Sequence, residues 1–324
     1  MYSVAELTEK VTTALEQLPY DRQPQGLYAP IKYVLSLGGK RIRPVLMLMA
    51  YNMYREDVDR IMPVALGLEV YHNFTLLHDD LMDRADVRRG KPCVHKVWND
   101  NTAILSGDNM LVMAYQMMSR CPSSALPSVI SIFTETALRL GEGQQYDMEF
   151  EQRTDVTERE YLEMIRLKTS VLLACALQIG ALLGGASEAD AQALYAYGEK
   201  VGLAFQLQDD YLDVYGDFET FGKAIGGDIL CNKKTFMLIN ALAHAPEHLR
   251  AELQGWLAAT EYDPAEKIEA VRHIYTQVGV DQMAKEQISF YIAQAEDALH
   301  ALPIAEERKE ILRQWTEQLL GRKR

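Results

Sequence analysis

The chain has 324 residues, 48% of them apolar, a formal net charge of −13 and an isoelectric point near 5.1. This length and apolar content suffice for one large domain or two ordinary ones, and they exclude global disorder. The acidic balance excludes a general nucleic-acid-binding protein, which needs a basic surface.

The cysteines and the N-terminal segment bear on the cellular compartment. Four scattered cysteines without a C-x-x-C pair indicate free, structural thiols in a reducing environment. The N-terminal segment has neither a basic region nor a long apolar run, so we expect no signal peptide. No stretch approaches the ~18 uncharged apolar residues of a membrane span, and none is expected. We predict a cytoplasmic protein.

Apolar residues recur at spacings of three and four along almost the whole chain, from the first stripe at residues 4–18 onward. Long helices are predicted at 64–82 and 188–213, at the centre of the fold. Thr157 opens the sequence TERE, a capping-box pattern before the helix that carries Lys168. Period-two alternation and Asn-Gly or Asp-Gly turns are absent, so no strand is predicted. The prediction is a single all-α domain over residues 1–324, with roughly ten to thirteen helices.

Two acidic clusters, in LLHDDLMDR and LQDDYLDVYGD, each follow an apolar helical stretch. Helical residues four apart share a face, so each cluster places two carboxylates together. Close carboxylates repel, and a buried unpaired charge is costly, so each cluster must face water or a cation. The clusters consist of Asp79, Asp80 and Asp83, and of Asp209, Asp210 and Asp213.

Ligands made only of carboxylate oxygen suit Mg²⁺ rather than Zn²⁺. Mg²⁺ takes one or two protein carboxylates and completes its shell with water and substrate phosphates. Two facing clusters would hold several Mg²⁺ ions around one diphosphate. For either cluster alone, a solvated helix end is the alternative interpretation. Two clusters, each followed by a basic or glycine-rich segment, make that interpretation less favourable. An EF-hand does not fit, because its loop glycine and final glutamate are missing.

Four cationic segments complement the acidic clusters. Arginine and lysine bind phosphate oxygens, although a surface salt-bridge belt explains any one segment equally well. That alternative accounts less well for Lys168, because the helix that carries it continues as a strongly apolar run. The segments are GGKRIRP with Lys40, Arg41 and Arg43, RRGKP with Arg88, Arg89 and Lys91, LKTS with Lys168 and Thr169, and FGKAIGGDILCNKKT with Lys223, Lys233 and Lys234.

In combination, the motifs GGKRIRP, HNFTLLHDDLMDRADVRRGKP, KT, FQLQDDYLD and FGKAIGGDI strongly resemble the trans-isoprenyl diphosphate synthases, or polyprenyl synthetases, from about residue 20 to 300. The resemblance implies an all-α bundle around a deep central cavity, usually a homodimer. It implies condensation of an allylic diphosphate (dimethylallyl, geranyl or farnesyl) with isopentenyl diphosphate, release of pyrophosphate, and three Mg²⁺ ions bound with the diphosphate.

The resemblance also assigns roles to residues of this chain. By similarity, Mg²⁺ is bound through Asp79 and Asp83, with Asp80 in support, and through Asp209, with Asp210 and Asp213. Positions that hold or flank the allylic diphosphate are matched by Arg88, Lys168, Thr169, Gln206, Lys223 and Lys233. Positions that hold isopentenyl diphosphate are matched by Lys40, Arg43, His72 and Arg89.

The residues before the first cluster bear on product length. Phe74 and Thr75 lie five and four residues before Asp79, about 7.5 and 6 Å along the helix, where a bulky side chain forms a floor for the growing tail. This pattern resembles short-chain synthases and favours a C20 product, with C15 close. Packing of Phe74 in the core is the alternative. His78 is expected to make a structural hydrogen bond, whereas His72 is expected to donate to a diphosphate.

Three rival functions stay open at this point. A terpene cyclase shares the ionisation chemistry but usually lacks the second aspartate cluster. A non-catalytic partner subunit of a prenyl synthase tends to lose a cluster or the cationic motifs. A longer-chain polyprenyl synthase remains possible if Phe74 is not a floor. The basic C-terminal sequence GRKR is expected to be a solvated end.

Overall fold

Helices make up nearly all regular structure in the computed structural model, which describes residues 1–216 and 225–321. The all-α prediction is therefore confirmed. The first helices are α1 (Val4–Glu16), α2 (Gln25–Ser36), α3 (Ile42–Asn52), a 3₁₀ turn (Val58–Ile61), α4 (Met62–Met82), α5 (Val94–Val97), α6 (Asp100–Met118), α7 (Leu126–Gln152) and α8 (Glu158–Ile165). A π-helical turn (Arg166–Ser170) precedes α9 (Val171–Gly184), α10 (Glu188–Tyr215), α11 (Gly227–Leu230), α12 (Phe236–His244), α13 (Glu247–Ala258), α14 (Pro264–Val278), α15 (Val280–His300) and α16 (Glu306–Leu320).

The two long predicted helices appear as α4 and α10, with ends within two residues of those expected. The capping box at Thr157 is also confirmed, since its hydroxyl accepts from the Glu160 N–H while the Glu160 carboxylate accepts from the Thr157 N–H. The described residues hold more helical segments than the ten to thirteen predicted. The surplus includes α5 and α11, four residues each, which are too short to give a periodic signal.

A small hairpin corrects the prediction that the chain has no strand. Strands β1 (Val87–Arg88) and β2 (Lys91–Pro92) pair antiparallel, with Arg88 opposite Lys91. The two turn residues, Arg89 and Gly90, have φ of 52° and 74°, as two-residue hairpin turns require. The sequence did not reveal this turn because Arg89 occupies a position where asparagine or aspartate is usual.

The chain divides into two compact units. Unit 1 comprises Met1–Thr134, Cys175–Leu194 and Ile304–Ile311. Unit 2 comprises Glu135–Ala174, Tyr195–Pro303 and Leu312–Arg324.

Helix α3 forms the centre of unit 1, because every residue from Pro44 to Asn52 is buried. Helix α4 packs against α3 and α6. The backbone of α9 approaches α3 so closely that a Cβ on Gly180 would lie 2.1 Å from the carbonyl oxygen of Met47. This approach explains why glycine occurs in the middle of an otherwise apolar helix.

Helix α12 forms the centre of unit 2. Its residues from Phe236 to Ala241 are buried, and the helix packs against α8, α14 and α15. Helix α14 begins at Pro264, where the Asp263 carboxylate accepts from two backbone N–H groups, and it ends at Gly279 with a φ of 82°. A cap and a left-handed glycine therefore fix both ends of the helix that packs beside α11 and α12.

One helical segment in the described part of the chain, Glu158–Gly184, is long and apolar enough to cross a membrane by length and composition. Its mean hydropathy over the most apolar window is 1.6, and 72% of that window is buried inside the protein. A core helix of a globular protein has the same properties, so this segment gives only weak evidence against the expectation of no membrane span.

Replacement of Gly180 by alanine tests the close approach of α9 and α3. The added Cβ would overlap the Met47 carbonyl oxygen, and we expect Gly180→Ala to destabilise the protein by about 1–3 kcal/mol, measured by thermal unfolding. The matched control is Gly255→Ala in α13, where a Cβ meets nothing within 4 Å. The control should be neutral or stabilising by up to ~1 kcal/mol. Equal melting temperatures for both variants would contradict the packing argument.

Candidate active site

The first acidic cluster lies at the C-terminal end of α4, in unit 1. Asp79 and Asp80 belong to its last turn, and Asp83 caps the helix with its backbone N–H donating to the Asp79 carbonyl oxygen over 2.9 Å. This near-helical geometry puts Asp79 and Asp83 on one face, as the spacing predicts. Asp83 is exposed, whereas Asp80 is only 5% exposed. The buried carboxylate therefore needs a partner from the protein.

Arg88 is that partner, and the hairpin delivers it. Its Nε lies 2.7 Å from each carboxylate oxygen of Asp80, and its Nη2 lies 2.6 Å from Oδ1. The same Nη2 is 4.0 Å from Asp79. Burial disfavours the charged form of Arg88, but the hydrogen bond and charge of Asp80 outweigh it and raise the pKa of the guanidinium. Asp80 and Arg88 thus form a charged pair at the base of the cluster.

Arg41 belongs to the cationic motif GGKRIRP, but its contacts give it a structural role. Its buried guanidinium donates to Glu69 over 2.8 Å and to the Leu35 carbonyl oxygen over 2.7 Å. Asn73 donates to the same Glu69 oxygen over 3.0 Å. Arg41 itself adopts a left-handed conformation with a φ of 50°, so this buried pair holds the turn that begins α3. Lys40, one residue earlier, is exposed.

Arg43 and His72 form a second pair, one that contains no negative charge. The Arg43 Nη1 lies 3.0 Å from the His72 Nε2. Since a guanidinium only donates, Nε2 accepts and the imidazole proton resides on Nδ1. Burial lowers the pKa of Arg43 to about 10, and burial together with the Arg43 charge lowers the pKa of His72 well below its usual value. The buried Nε of Arg43 has no hydrogen-bond partner.

Arg89 completes this arginine cluster, which we define as Arg41, Arg43, Arg88 and Arg89. Its guanidinium donates to the Gly38 carbonyl oxygen and covers Gly39, where a Cβ would lie 2.8 Å from it. Burial and the Arg41 charge lower the pKa of Arg89. Within the described chain neither Arg43 nor Arg89 forms an ion pair, so the cluster has positive charge left for an external anion.

Phe74 and His78 lie one turn apart on α4. The Phe74 ring is 5.5 Å from that of Tyr71 and 4.8 Å from that of His78, and it remains partly exposed. The His78 Nε2 contacts the Ile104 carbonyl oxygen at 3.1 Å, which confirms the structural hydrogen bond expected for it. Thr75 donates to the His72 carbonyl oxygen over 2.8 Å.

The second acidic cluster lies on α10, in unit 2. Asp210 is only 3% exposed and accepts from the Tyr161 hydroxyl and from the Gln206 amide, the latter over 3.3 Å. Burial raises the pKa of Asp210 to about 7, and the Tyr161 hydrogen bond opposes that rise. Tyr161 was not a candidate from sequence, because a tyrosine on an apolar helix face reads as core.

Asp213 and Lys233 both contact Asp228 in the first turn of α11. The Asp213 Oδ2 accepts from the Asp228 backbone N–H over 3.0 Å, and burial and the Asp228 charge raise its pKa. The Lys233 Nζ lies 4.0 Å from the Asp228 carboxylate. Burial lowers the pKa of Lys233, but Asp228 and Asp210 more than compensate and raise it. Asp209 is partly buried on the same helix face as Asp213.

Lys168 and Thr169 lie in the π-helical turn. Two glycines admit this turn: a Cβ on Gly143 would lie 2.4 Å from the Lys168 backbone nitrogen, and one on Gly202 would lie 2.6 Å from the Cα of Ser170. π turns occur frequently at functional sites. The Thr169 hydroxyl donates to the Gln206 amide oxygen over 3.4 Å.

Asp147 on α7 is a site candidate that sequence reasoning missed. Its carboxylate lies 2.5 Å from the Lys168 Nζ. A signal was present, because Asp147 follows Gly143 by four residues and so lies on the face of α7 that the glycine opens to the π turn.

Unit 1 thus contains Lys40, Arg43, His72, Phe74, Thr75, the first acidic cluster, Arg88 and Arg89, and unit 2 contains Lys168, Thr169, Gln206, the second acidic cluster and Lys233. Lys223 lies outside the described residues. Nowhere in residues 1–216 and 225–321 do three His, Cys, Asp or Glu side chains already converge as a metal site.

Comparison with known proteins gives consistent matches over most of the chain. The sequence profile of a family described as polyprenyl synthetase matches residues 24–277. A geranylgeranyl diphosphate synthase of Methanosarcina mazei is 38% identical over 90% of this chain and 89% of its own length. A geranylfarnesyl diphosphate synthase of Natronomonas pharaonis is 35% identical over 95% of this chain and 93% of its own length. A crystal structure of a geranylgeranyl pyrophosphate synthase superposes with a TM-score of 0.95, at 44% identity, over 100% of both chains.

Substitution of Tyr161 by phenylalanine tests how the buried Asp210 is satisfied. The change removes the hydroxyl donor and leaves a buried carboxylate oxygen without it, so we expect a loss of about 1–3 kcal/mol in thermal or denaturant unfolding. The control is Tyr146→Phe on α7, whose side chain is 43% exposed. If Tyr161→Phe loses no more stability than the control, the hydrogen bond to Asp210 makes no net contribution to the stability of the fold.

Proposed function

The chain belongs to the polyprenyl synthetase family and is a trans-prenyltransferase of the isoprenyl diphosphate synthase class, and we propose that it condenses isopentenyl diphosphate with an allylic diphosphate to an all-trans C20 product. A C15 product is the near alternative. The allylic substrate is dimethylallyl, geranyl or farnesyl diphosphate, and pyrophosphate is released.

The observation that carries this proposal is the arginine cluster beside the last turn of α4. Two of its guanidinium groups, Arg43 and Arg89, have lowered pKa values and no ion-pair partner in the described residues. An external polyanion would satisfy both, and a diphosphate has the required charge and oxygen donors. We therefore assign Arg43, Arg89, Lys40 and His72 to binding of isopentenyl diphosphate, with the His72 Nδ1–H as a neutral donor.

The acidic clusters fit Mg²⁺ by their donor chemistry. Each places two carboxylates on one helix face, and Mg²⁺ requires only one or two before water and phosphate oxygens complete its shell. We propose that Asp79 and Asp83, with Asp80 in support, and Asp209, with Asp210 and Asp213, hold three Mg²⁺ ions. When bound, Mg²⁺ offsets negative charge on the diphosphate.

The chemical step is carried by binding and exclusion of water. The bond between C1 and oxygen of the allylic substrate breaks, and its electron pair leaves with pyrophosphate. The alkene of isopentenyl diphosphate then attacks C1, and a proton is lost to the departing pyrophosphate. Positive charge from lysine and arginine stabilises the leaving group. In this role we place Arg88, Lys168, Lys233 and Lys223, the last of which lies outside the described residues.

The allylic cation also needs stabilisation before it reacts. The Gln206 amide oxygen accepts from Thr169, so its dipole has a fixed direction. We propose that Gln206 and the carbonyl groups exposed by the π turn at Lys168 and Thr169 face the cation. Such fixed dipoles stabilise charge without reorganisation at the moment of reaction.

We further propose a cytoplasmic homodimer. Helix α6 exposes Ile104, Leu105 and Val112, at 45%, 61% and 65% of their surface, and Leu105 and Val112 share a face because they lie seven residues apart. An apolar face of this kind supports association of two copies, the arrangement usual in the family.

A product assay tests the proposed function. The purified protein is incubated with Mg²⁺, isopentenyl diphosphate and one allylic primer at a time, and the prenyl alcohols are identified by mass spectrometry after phosphatase treatment. We expect products that end at C20. The variant Asp79→Ala, which should lose turnover by orders of magnitude while melting like the parent protein, is the control for contaminating activity. Absence of pyrophosphate release with every primer would favour a non-catalytic partner subunit.

Phe74→Ala tests the floor of the product cavity. Removal of the ring between Tyr71 and His78 opens space along α4, and we expect the main product to lengthen by one or more isoprene units. Thermal unfolding separates this effect from a general loss of packing. An unchanged product distribution would assign Phe74 to the core, and a parent protein that already runs past C25 would indicate a longer-chain synthase.

A further inference from the structure

Lys267 on α14 is a fully buried lysine that none of the roles above uses. Its Nζ donates to the Asn232 Oδ1 over 2.7 Å and lies 4.3 Å from the centre of the Tyr262 ring. Among the ion pairs of the described residues none includes Lys267. A buried ammonium group is costly unless its contacts compensate, so the contact with Asn232 needs a reason.

Asn232 holds a special conformation at the end of α11. Its φ is 52°, in the left-handed region, and its backbone N–H donates to the Ile229 carbonyl oxygen over 3.2 Å. The side-chain amide is held at both ends, because its Nδ2 donates to the Leu257 carbonyl oxygen over 3.1 Å while its Oδ1 accepts from Lys267. Since an ammonium group only donates, Lys267 also fixes which way the amide points.

Lys233 directly follows Asn232, so the conformation of Asn232 sets its position. The Lys233 backbone N–H donates to the Asp228 carbonyl oxygen over 2.9 Å, and its Nζ lies 4.0 Å from the Asp228 carboxylate. The other side of this loop borders a cavity of about 590 Å³ lined by Asn232, Lys234 and residues of α12. The Asn232 side chain therefore has open space on one side, and its contacts with Leu257 and Lys267 fix its position.

We propose that Lys267 is a positioning residue: through Asn232 it fixes the turn between α11 and α12 and so places Lys233 to bind the allylic diphosphate. The inference rests on the role proposed for Lys233 above. Lys267 lies one residue beyond Asn232 in this chain of contacts and does not itself meet the substrate.

Steady-state kinetics with both substrates varied test the inference. Lys267→Met keeps an unbranched side chain that is one atom shorter and removes the donor. We expect KM for the allylic diphosphate to rise about tenfold while KM for isopentenyl diphosphate changes less than twofold. Lys267→Arg keeps a cationic donor and should recover most of the loss. Lys10→Met, which removes a partly exposed lysine paired with Asp59 on another helix, is the control and should leave both KM values unchanged.

The variant Lys233→Ala separates failure of the inference from failure of the assigned function. If Lys233→Ala leaves the allylic KM unchanged, the role of Lys233 is wrong. If it raises that KM and Lys267→Met does not, the positioning role of Lys267 is wrong. The double variant Lys233→Ala/Lys267→Met should have the same allylic KM as Lys233→Ala alone, because both substitutions remove the same interaction. An allylic KM raised by the product of the two single effects would overturn the inference.

A variant of Asn232 covers the case in which Lys267→Met does not fold. Asn232→Gly keeps access to the left-handed conformation and removes the amide that Lys267 holds. We expect the same selective rise in the allylic KM and a native circular-dichroism spectrum, with a melting temperature below that of the parent because the buried Lys267 ammonium loses its acceptor. A uniform loss of kcat with both KM values unchanged would mean that the turn has only a structural role.

Discussion

Compensation of the buried Asp80 carboxylate is the constraint on which the chemistry of unit 1 depends. The last turn of α4 crowds like charges, and Asp80 faces inward, so a cation must accompany it. The hairpin β1–β2 supplies Arg88 for this purpose and, in the same two-residue turn, sets Arg89 against Gly38 and Gly39. This short element thus supplies a cationic partner for Asp80 and places a second arginine, Arg89, against Gly38 and Gly39.

Unit 2 handles a similar sequence in a different way. The buried Asp210 is satisfied by neutral donors, Tyr161 and Gln206, and the cations Lys168 and Lys233 pair instead with Asp147 and Asp228. A cation that is paired with a second carboxylate can exchange that partner for a phosphate oxygen without leaving a buried aspartate uncompensated. The two aspartate motifs are similar in sequence, but the groups that surround their buried carboxylates differ in charge.

Sequence reasoning predicted the helical class, the limits of α4 and α10 and the capping box at Thr157, because each rests on local periodicity or on contacts within one turn. It missed what depends on distant neighbours. The partners Tyr161 and Asp147 depend on which helices meet, although Gly143 gave a signal for Asp147. The β1–β2 turn is local and was missed because Arg89 stands where asparagine or aspartate is usual. The assignment of ligands to the aspartates, and of the floor to Phe74, stays a prediction, since carboxylate spacing does not reveal what completes the coordination shell.

The π-helical turn Arg166–Ser170 has a consequence for how this chain can vary in length. A π turn contains one residue more than the α-helical turn it replaces, so removal of a single residue there would leave an unbroken helix rather than a broken one. Every side chain of α9 would then rotate by about 100° relative to α8. The facing Gly143 and Gly202 would lose the backbone they accommodate. Deletion of one residue is usually tolerated in a loop. In this segment the deletion would leave the helix content unchanged and yet would disrupt the core.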